Sequence, residues 1–157
     1  MESIPLLDII EAKEYQDIYL TALNRLLPCL SADAESLNAD DLRQMIASKA
    51  THLFFAHSEG QIAGTLTLVV FRIPTACRCS IEDFVVDPAF RKQGIGNALI
   101  AYAIRQAGTF GAATIDLTSH PSRTAAHGLY KHSGFKVRET MVYHYDLFQY
   151  RHEIFGL

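Results

Sequence analysis

The sequence is poor in cysteine and has no cluster of metal-binding residues. Its three cysteines, Cys29, Cys77 and Cys79, are an odd number and do not suggest a disulfide framework. Cys77 and Cys79 have the wrong spacing for a CxxC pair, and we expect buried or half-buried thiols on one face of a strand. The seven histidines are scattered and form no His-Glu-x-x-His motif, so we expect no metal site.

Positive charge and long apolar runs are also scarce. The formal net charge at pH 7 is -3, which argues against binding of nucleic acid or an anionic membrane by the chain as a whole. The longest apolar run, residues 62–73, is interrupted by Gly64 and Arg72 and is too short to span a bilayer. Residues 1–16 lack the basic start and the cleavage site of a signal peptide, so we expect a cytoplasmic protein.

The composition that is present is typical of a soluble globular protein. Hydrophobic residues make up 49% of the chain and charged residues 20%, and a chain of 157 residues suits one domain. No repeat, low-complexity tract or linker marks a boundary. We therefore expect a single domain over residues 1–157.

Hydrophobic periodicity predicts the order of secondary-structure elements. The first part of the chain indicates a strand at residues 3–8, a helix from Ile9 to near Pro28, and a short helix capped by Asp40 or Asp41. The remaining predicted elements are strands at residues 51–57, 61–71 and 77–86, a helix at 94–107, a strand at 113–117, a helix at 122–132, and strands at 135–137 and 142–147. Hairpins followed by a crossover unit predict an α/β (α+β) fold, in which a central mixed sheet of about six to seven strands is flanked by about four helices.

The turn Arg-Lys-Gln-Gly-Ile-Gly at residues 91–96 has the features of an anion site. Pro88 ends the preceding strand, and Gly94 and Gly96 have no Cβ to keep a ligand away from the backbone. The helix that begins there leaves its first N–H groups unpaired, and its dipole favours a pyrophosphate. Taken alone, the two glycines also fit an ordinary tight turn.

Two other phosphate motifs do not match this turn. A P-loop requires Gly-Lys-Ser/Thr after four spacer residues, and that sequence is absent. The dinucleotide-binding fingerprint requires a third glycine, and Leu99 occupies its position.

Residues around the turn carry a resemblance to a known family. Residues 81–96 read IEDFVVDPAFRKQGIG, and residues 123–135 read RTAAHGLYKHSGF. The first stretch is similar to the Arg/Gln-x-x-Gly-x-Gly/Ala signature that follows a Val-x-Pro strand end in the GNAT superfamily of acyl-CoA-dependent N-acyltransferases. The second is similar to that family's Ala-rich helix, which is followed by Tyr and then Gly-Phe. The detailed resemblance covers residues 50–147.

The resemblance implies acetyl-CoA as the acyl donor and a site for it. Main-chain groups of Phe84, Val85 and Val86 would hold the pantetheine arm, where two strands part, often beside a bulge. The pyrophosphate would lie on the turn and first helical residues, which are Arg91, Lys92, Gln93, Gly94, Ile95, Gly96, Asn97 and Ala98. Arg123 stands where many relatives carry an asparagine, and we expect it to contact CoA, with an exposed surface position as the alternative.

Acetyl transfer to a primary amine needs a base and an acid. An aliphatic ammonium has a pKa near ~10.4, so a base must remove its proton, and the leaving thiolate benefits from an acid. By resemblance, Tyr130 is the candidate acid, and its alternative role is a packed aromatic. Glu82 is the candidate base, its alternative role is a structural ion pair, and Asp83 is the alternative base. His120 follows the predicted strand at residues 113–117 and is expected near the site. Along the strand at residues 77–86, alternation predicts that the side chains of Glu82, Phe84 and Val86 lie on the same face.

The resemblance therefore implies an N-acetyltransferase that moves an acetyl group from acetyl-CoA to a primary amine of a small molecule or peptide, by direct attack in a ternary complex. The alternative is a catalytically silent acyl-CoA-binding regulatory module. The acceptor pocket would be built by residues 20–45 and 138–147, and a homodimer through the last strand is a further expectation.

Overall fold

The computed structural model of the protein describes residues 7–147. These residues form one five-stranded sheet in the order β1-β2-β3-β4-β5. The strands are β1 (Asp8–Glu11), β2 (Thr51–Ser58), β3 (Gln61–Ile73), β4 (Ala76–Val86) and β5 (Thr114–Asp116). Neighbouring strands are antiparallel except for β4 and β5, which are parallel. The sheet is therefore mixed, as the sequence predicts.

Helices cover both faces of the sheet. They are α1 (Asp17–Leu26), α2 (Ala39–Ala47), α3 (Ile95–Thr109) and α4 (Thr124–His132), and a 3-10 turn at Leu27–Cys29 follows α1. Phe54 and Phe55 are adjacent on β2 and point to opposite faces. Phe54 belongs to the core against α3, which includes Leu99, whereas Phe55 belongs to the core against α1 and α2, which includes Leu26. No helix among residues 7–147 is long and apolar enough to cross a membrane.

The N-terminal part of the chain differs from the predicted helix that starts at Ile9. Residues 9–11 belong to β1, where Ile9 lies opposite Ala56 and Ile10 lies opposite Phe55. Pairing with β2 therefore outweighs the helical spacing of the apolar residues, and α1 begins only at Asp17. Most of the predicted strand at residues 3–8 lies outside the described residues.

The cap of α2 is Asn38 rather than the predicted Asp40 or Asp41. The Asn38 side chain accepts hydrogen bonds of 2.9 Å from the N–H groups of both aspartates. The Asp41 carboxylate in turn accepts from the Asn38 N–H at 3.5 Å, which completes a capping box. Asp41 is part of this capping box, but the N-cap residue is Asn38, three residues before it.

The last two predicted strands do not form in the described part of the chain. Residues 136–147 contain no strand, so the sheet of residues 7–147 has five strands instead of about six to seven. Alternating apolar residues give this segment strand propensity, but a strand also needs a backbone partner in the correct register. The side chains of Val137 and Tyr143 are instead 87% and 88% exposed.

The cysteines follow the expectation for the pair on β4. Cys79 is buried in the core against α3, and Cys77 is half-buried. Burial raises the pKa of the Cys79 thiol, as does the neighbouring Cys77. Cys29, by contrast, is exposed.

Candidate active site

A cleft of about 630 Å³ opens where β4 and β5 part. The two strands pair only from Arg78 opposite Thr114 to Ser80 opposite Asp116. Beyond that point the cleft is lined by residues of β4, of the loop after β5, of α4, of the segment after α1 and of the C-terminal segment. These residues are Leu30, Ser31, Ile81, Glu82, Asp83, Phe84, Leu117, Thr118, Ser119, His120, Pro121, Arg123, Tyr130 and Val142.

A β-bulge shapes the floor of the cleft. Thr65 of β3 lies opposite Val85, and Thr67 lies opposite Glu82, so the single residue between them faces two residues of β4. Asp83, the first of these two, has a φ of 45°, which is uncommon for a residue other than glycine. The bulge therefore places a strained backbone at the point where the strands separate.

The bulge also reverses the alternation of β4 and corrects one prediction. Before the bulge, Ile81 faces the core against α3. After it, Phe84 and Val86 pack on this same core, and Val85 faces the core against α1 and α2. Glu82 is adjacent to Ile81 and points to the other face. The prediction that Glu82 shares a face with Phe84 and Val86 is therefore wrong, because the extra residue shifts the period by one.

Glu82 and Asp83 place two exposed carboxylates on the lining of the cleft. The Glu82 carboxylate accepts a hydrogen bond from the Ser80 hydroxyl. None of the ion pairs among residues 7–147 includes Glu82, so the described structure does not show the structural ion pair considered for it. Both groups are accessible to a molecule in the cleft.

Tyr130 presents a half-buried phenol to the cleft. Its ring centroid lies 6.2 Å from that of Phe84 and 6.2 Å from that of Phe135. Burial raises the pKa of Tyr130 above its ordinary value, and the positive charge of Arg123 acts in the opposite direction. The phenol therefore stays protonated at neutral pH and is able to donate a proton or a hydrogen bond.

Two further side chains of the cleft have defined contacts. Arg123 donates a hydrogen bond of 2.8 Å from Nη2 to the Leu30 carbonyl. His120 Nδ1 accepts from the Ser122 N–H at 3.2 Å and lies 2.7 Å from the Ser122 hydroxyl. Because Nδ1 accepts the N–H bond, the proton of a neutral His120 ring belongs on Nε2.

Sequence reasoning did not single out Ser119 as a cleft residue. Its Oγ is buried and has no hydrogen-bond partner among the described residues. The only available signal was its position after the fifth predicted strand. The cleft lining also includes residues of both segments that were expected to build the acceptor pocket. Leu30 and Ser31 belong to residues 20–45, and Val142 belongs to residues 138–147.

The glycine turn, residues 91–96, lies beside the cleft and leads into α3. Gly94 caps this helix with a φ of 82°, Lys92 has a φ of 61°, and no side chain among the described residues caps the helix start. A Cβ at Gly96 would lie 3.3 Å from Leu129 Cδ2 and 3.4 Å from Phe84 Cζ, so the absence of a Cβ allows this close packing. Gly96 therefore brings the turn against the same Phe84 that lines the cleft.

An ion pair fixes the strand end before this turn. Arg25 of α1 pairs with Asp87 and also donates a hydrogen bond of 2.6 Å to the Ile62 carbonyl. The Asp87 side chain accepts from the Ala89 N–H at 2.9 Å, and its own N–H donates to the Ala63 carbonyl at 2.8 Å. These contacts hold the end of β4 in one orientation relative to α1 and β3.

Comparison with known proteins decides the family. A sequence model of the acetyltransferase (GNAT) family matches residues 17–135, which is more than half of the chain. The protein belongs to the GNAT family. A search of curated proteins finds no match.

Solved structures share the GNAT fold over most of the chain. A transcriptional regulator from Bacillus halodurans C-125 is 25% identical, with a TM-score of 0.78 over 89% of this chain and 100% of the other. An aminoglycoside acetyltransferase from an uncultured soil metagenomic sample, solved with trehalose, is 22% identical, with a TM-score of 0.79 over 89% and 95%. The aminoglycoside N-acetyltransferase AAC(6')-Iy, solved with CoA, is 17% identical, with a TM-score of 0.78 over 93% and 98%.

The expected residues of this GNAT protein fall into two groups that meet at Phe84. Glu82, Phe84, Arg123 and Tyr130 line the cleft. The second group, residues 91–98, lies at the start of α3. Among residues 7–147, no group of three or more His, Cys, Asp or Glu side chains is placed to hold a metal ion.

Proposed function

We propose that this protein is an N-acetyltransferase that moves an acetyl group from acetyl-CoA to a primary amine of a small molecule or peptide, by direct attack in a ternary complex. The observation that carries the proposal is the arrangement of Glu82 and Tyr130. Both side chains line one cleft at the parting of β4 and β5. The cleft adjoins a helix start that has no side-chain cap and suits a pyrophosphate.

The residues at this helix start fit the donor that we propose. A Cβ at Gly94 would meet no atom within 4 Å, so there is open space beside the turn. The unpaired N–H groups at the start of α3 and the exposed side chains of Arg91 and Lys92 would bind the pyrophosphate. Main-chain groups of residues 84–86 would bind the pantetheine arm, beside the bulge. When bound, acetyl-CoA supplies a thioester carbonyl that an amine can attack.

Glu82 is the proposed base. Its carboxylate is exposed in the cleft and is hydrogen-bonded to the Ser80 hydroxyl, which orients it without neutralising its charge. It can accept a proton from an ammonium directly or through water. Asp83 is the alternative base, since the bulge brings its carboxylate to the same cleft.

Tyr130 is the proposed acid. Its half-buried position keeps the phenol protonated, and the ring is held between Phe84 and Phe135. A phenol with a raised pKa is a weak acid, so its main contribution is a hydrogen bond to the developing thiolate, followed by proton transfer as the sulfur leaves.

A turnover screen tests the proposed function. Purified protein is incubated with acetyl-CoA and a panel of polyamines, aminoglycosides, amino acids, amino sugars and peptides, and release of free thiol is measured. We expect amine-dependent thiol release with at least one class, and acetylation of that amine by mass spectrometry. Absence of amine-dependent release across the panel, from protein that binds CoA, would contradict the proposal.

The second candidate is a catalytically silent acyl-CoA-binding regulatory module. The likeness to a transcriptional regulator that is 25% identical supports this second candidate. This hypothesis predicts that the protein binds CoA, measured by calorimetry, but shows no turnover. It also predicts that Glu82→Gln and Tyr130→Phe bind CoA with unchanged affinity.

We also propose that the chain is one cytoplasmic domain and that it binds neither nucleic acid nor membranes.

We further propose that the protein forms a homodimer through residues 142–147. Val142 and Tyr143 are 75% and 88% exposed in this segment, which supports the dimer. Sedimentation of the wild type and of Val142→Glu tests it, because a charged side chain at an apolar interface should shift the protein towards the monomer.

A further inference from the structure

Arg123 links two separate parts of the cleft wall. It stands at the N-cap position of α4, and its Nη2 donates to the carbonyl of Leu30, 93 residues earlier in the chain. Leu30 follows directly on the 3-10 turn after α1. Leu30, Ser31 and Arg123 all line the cleft. The hydrogen bond therefore ties the segment after α1 to the start of α4.

The segment held by Arg123 also packs on the core against α1 and α2, through Leu27 and Leu30. The N–H groups of Leu30 and Ser31 both donate to the Leu27 carbonyl, at 2.9 and 3.2 Å. The Leu30 carbonyl accepts the guanidinium, which is a charged donor and therefore a stronger one than a neutral N–H group. The hydrogen bond from Arg123 adds a contact across the cleft to the local packing of this segment.

Arg123 also lies close enough to Tyr130 to influence its phenol. The two residues are seven positions apart, which is about two turns of α4. The positive charge lowers the pKa of Tyr130, against the effect of burial, which raises it. One guanidinium therefore contacts a wall of the cleft and acts on the candidate acid.

We propose that Arg123 is a positioning residue for acetyl transfer, which holds residues 27–31 as a wall on the acceptor side of the cleft. This inference rests on the proposed function. It assigns Arg123 to the acceptor side, whereas the sequence led us to expect a contact with CoA. The guanidinium suits this role because its planar set of donors can bind a main-chain carbonyl while its charge remains directed to the cleft.

Three substitutions separate the contributions of Arg123, and a fourth provides a control. Arg123→Met keeps the length without donor or charge, Arg123→Gln keeps a donor, and Arg123→Lys keeps both without the planar fork. The matched control is Lys131→Gln, which removes an exposed positive charge from α4 next to Tyr130. All four proteins are first compared with the wild type by thermal unfolding.

The kinetic result distinguishes the two sides of the site. We expect Arg123→Met to raise the KM for the amine about ten-fold, as befits loss of one charge-assisted hydrogen bond, while the KM for acetyl-CoA changes less than about two-fold. Arg123→Lys should recover part of the loss and Arg123→Gln less, and Lys131→Gln should match the wild type. An increase in the KM for acetyl-CoA with an unchanged KM for the amine would overturn the proposal, as would no change in either.

Hydrogen exchange tests the contact without turnover. In Arg123→Met, the amides of Leu30 and Ser31 should exchange about ten-fold faster than in the wild type, and in Lys131→Gln they should be unchanged. Equal protection in Arg123→Met and the wild type would overturn the role of Arg123 whatever the activity. Absence of turnover by the wild type with every amine, with the faster exchange still observed, would instead count against the proposed function.

Discussion

Replacing Gly64 with alanine is the most direct test of how β3 packs against β4, the strand proposed to bind the pantetheine arm. Gly64 is buried on β3, opposite Val86. A Cβ at this position would lie 3.0 Å from the Val85 carbonyl oxygen, 3.2 Å from Leu99 Cδ1 and 3.4 Å from Val86 Cα. Two of these atoms are backbone, and Leu99 is fully buried, so none can move away freely.

The size of the effect follows from these contacts. Overpacking of a core site costs about 1–3 kcal/mol, and the reduced chain entropy of the unfolded alanine variant offsets about 0.4–1 kcal/mol of this. We therefore expect Gly64→Ala to lower the free energy of unfolding by about 1–2 kcal/mol, which corresponds to a fall in Tm of about 2–8 °C for a chain of this size. The displaced atoms belong to residues 85 and 86, so the KM for acetyl-CoA should rise more than the KM for the amine.

Urea unfolding and thermal melts measure this change, with Gly108→Ala as the matched control. Gly108 lies near the end of α3, and a Cβ there would meet no atom within 4 Å. Alanine at this position should raise the free energy of unfolding by about 0.5–1 kcal/mol. A Gly64→Ala protein as stable as the wild type would show that β3 and β4 do not approach as described, and would refute the reasoning.

Three further substitutions test the chemistry and the pH dependence. Tyr130→Phe should lower kcat by roughly 10²–10⁴-fold with little change in CoA affinity, measured by thiol release and calorimetry, and unchanged kcat would remove Tyr130 from the mechanism. Glu82→Gln should remove the acidic limb of the pH–rate profile, and an unaltered limb would show that Glu82 is not the base. At Glu11, burial raises the pKa, but hydrogen bonds from Lys13 and His52 outweigh it and hold the pKa below 4.5. The charged Glu11 therefore stabilises the fold at neutral pH, and this contribution is lost as the pH falls through the lowered pKa. Glu11→Gln should lower the free energy of unfolding by about 1 kcal/mol at pH 7, and by progressively less as the pH falls through that pKa, measured by urea unfolding. A loss that does not change with pH would contradict the assignment.

The central part of the fold could be predicted from the sequence because its signals are local. Pro88 and Gly94 mark the end of β4 and the start of α3, close to the predicted bounds of that strand and helix. The GNAT family and the mixed sheet are confirmed by the comparisons and the topology. The turn and helix-end signals depend on residues only a few positions apart.

The errors fall where a distant partner decides the structure. Ile9 and Ile10 join β1 because β2 offers a backbone partner more than 40 residues away, and no local pattern reports that pairing. Residues 142–147 have the alternation of a strand but form no strand in the described part of the chain. Strand pairing is a property of two segments, so one segment's propensity does not determine it.

The sequence alone determined which chemical groups the protein has and where the glycine turn begins, because the two glycines of residues 91–96 are a local feature of the chain. Only the tertiary structure decided how the groups face each other. The extra residue at Asp83 turned Glu82 away from Phe84, and the contact of Arg123 with Leu30 crosses 93 positions. Bulges and long-range hydrogen bonds arise from the register and packing of separate elements, which a reading along one chain does not contain.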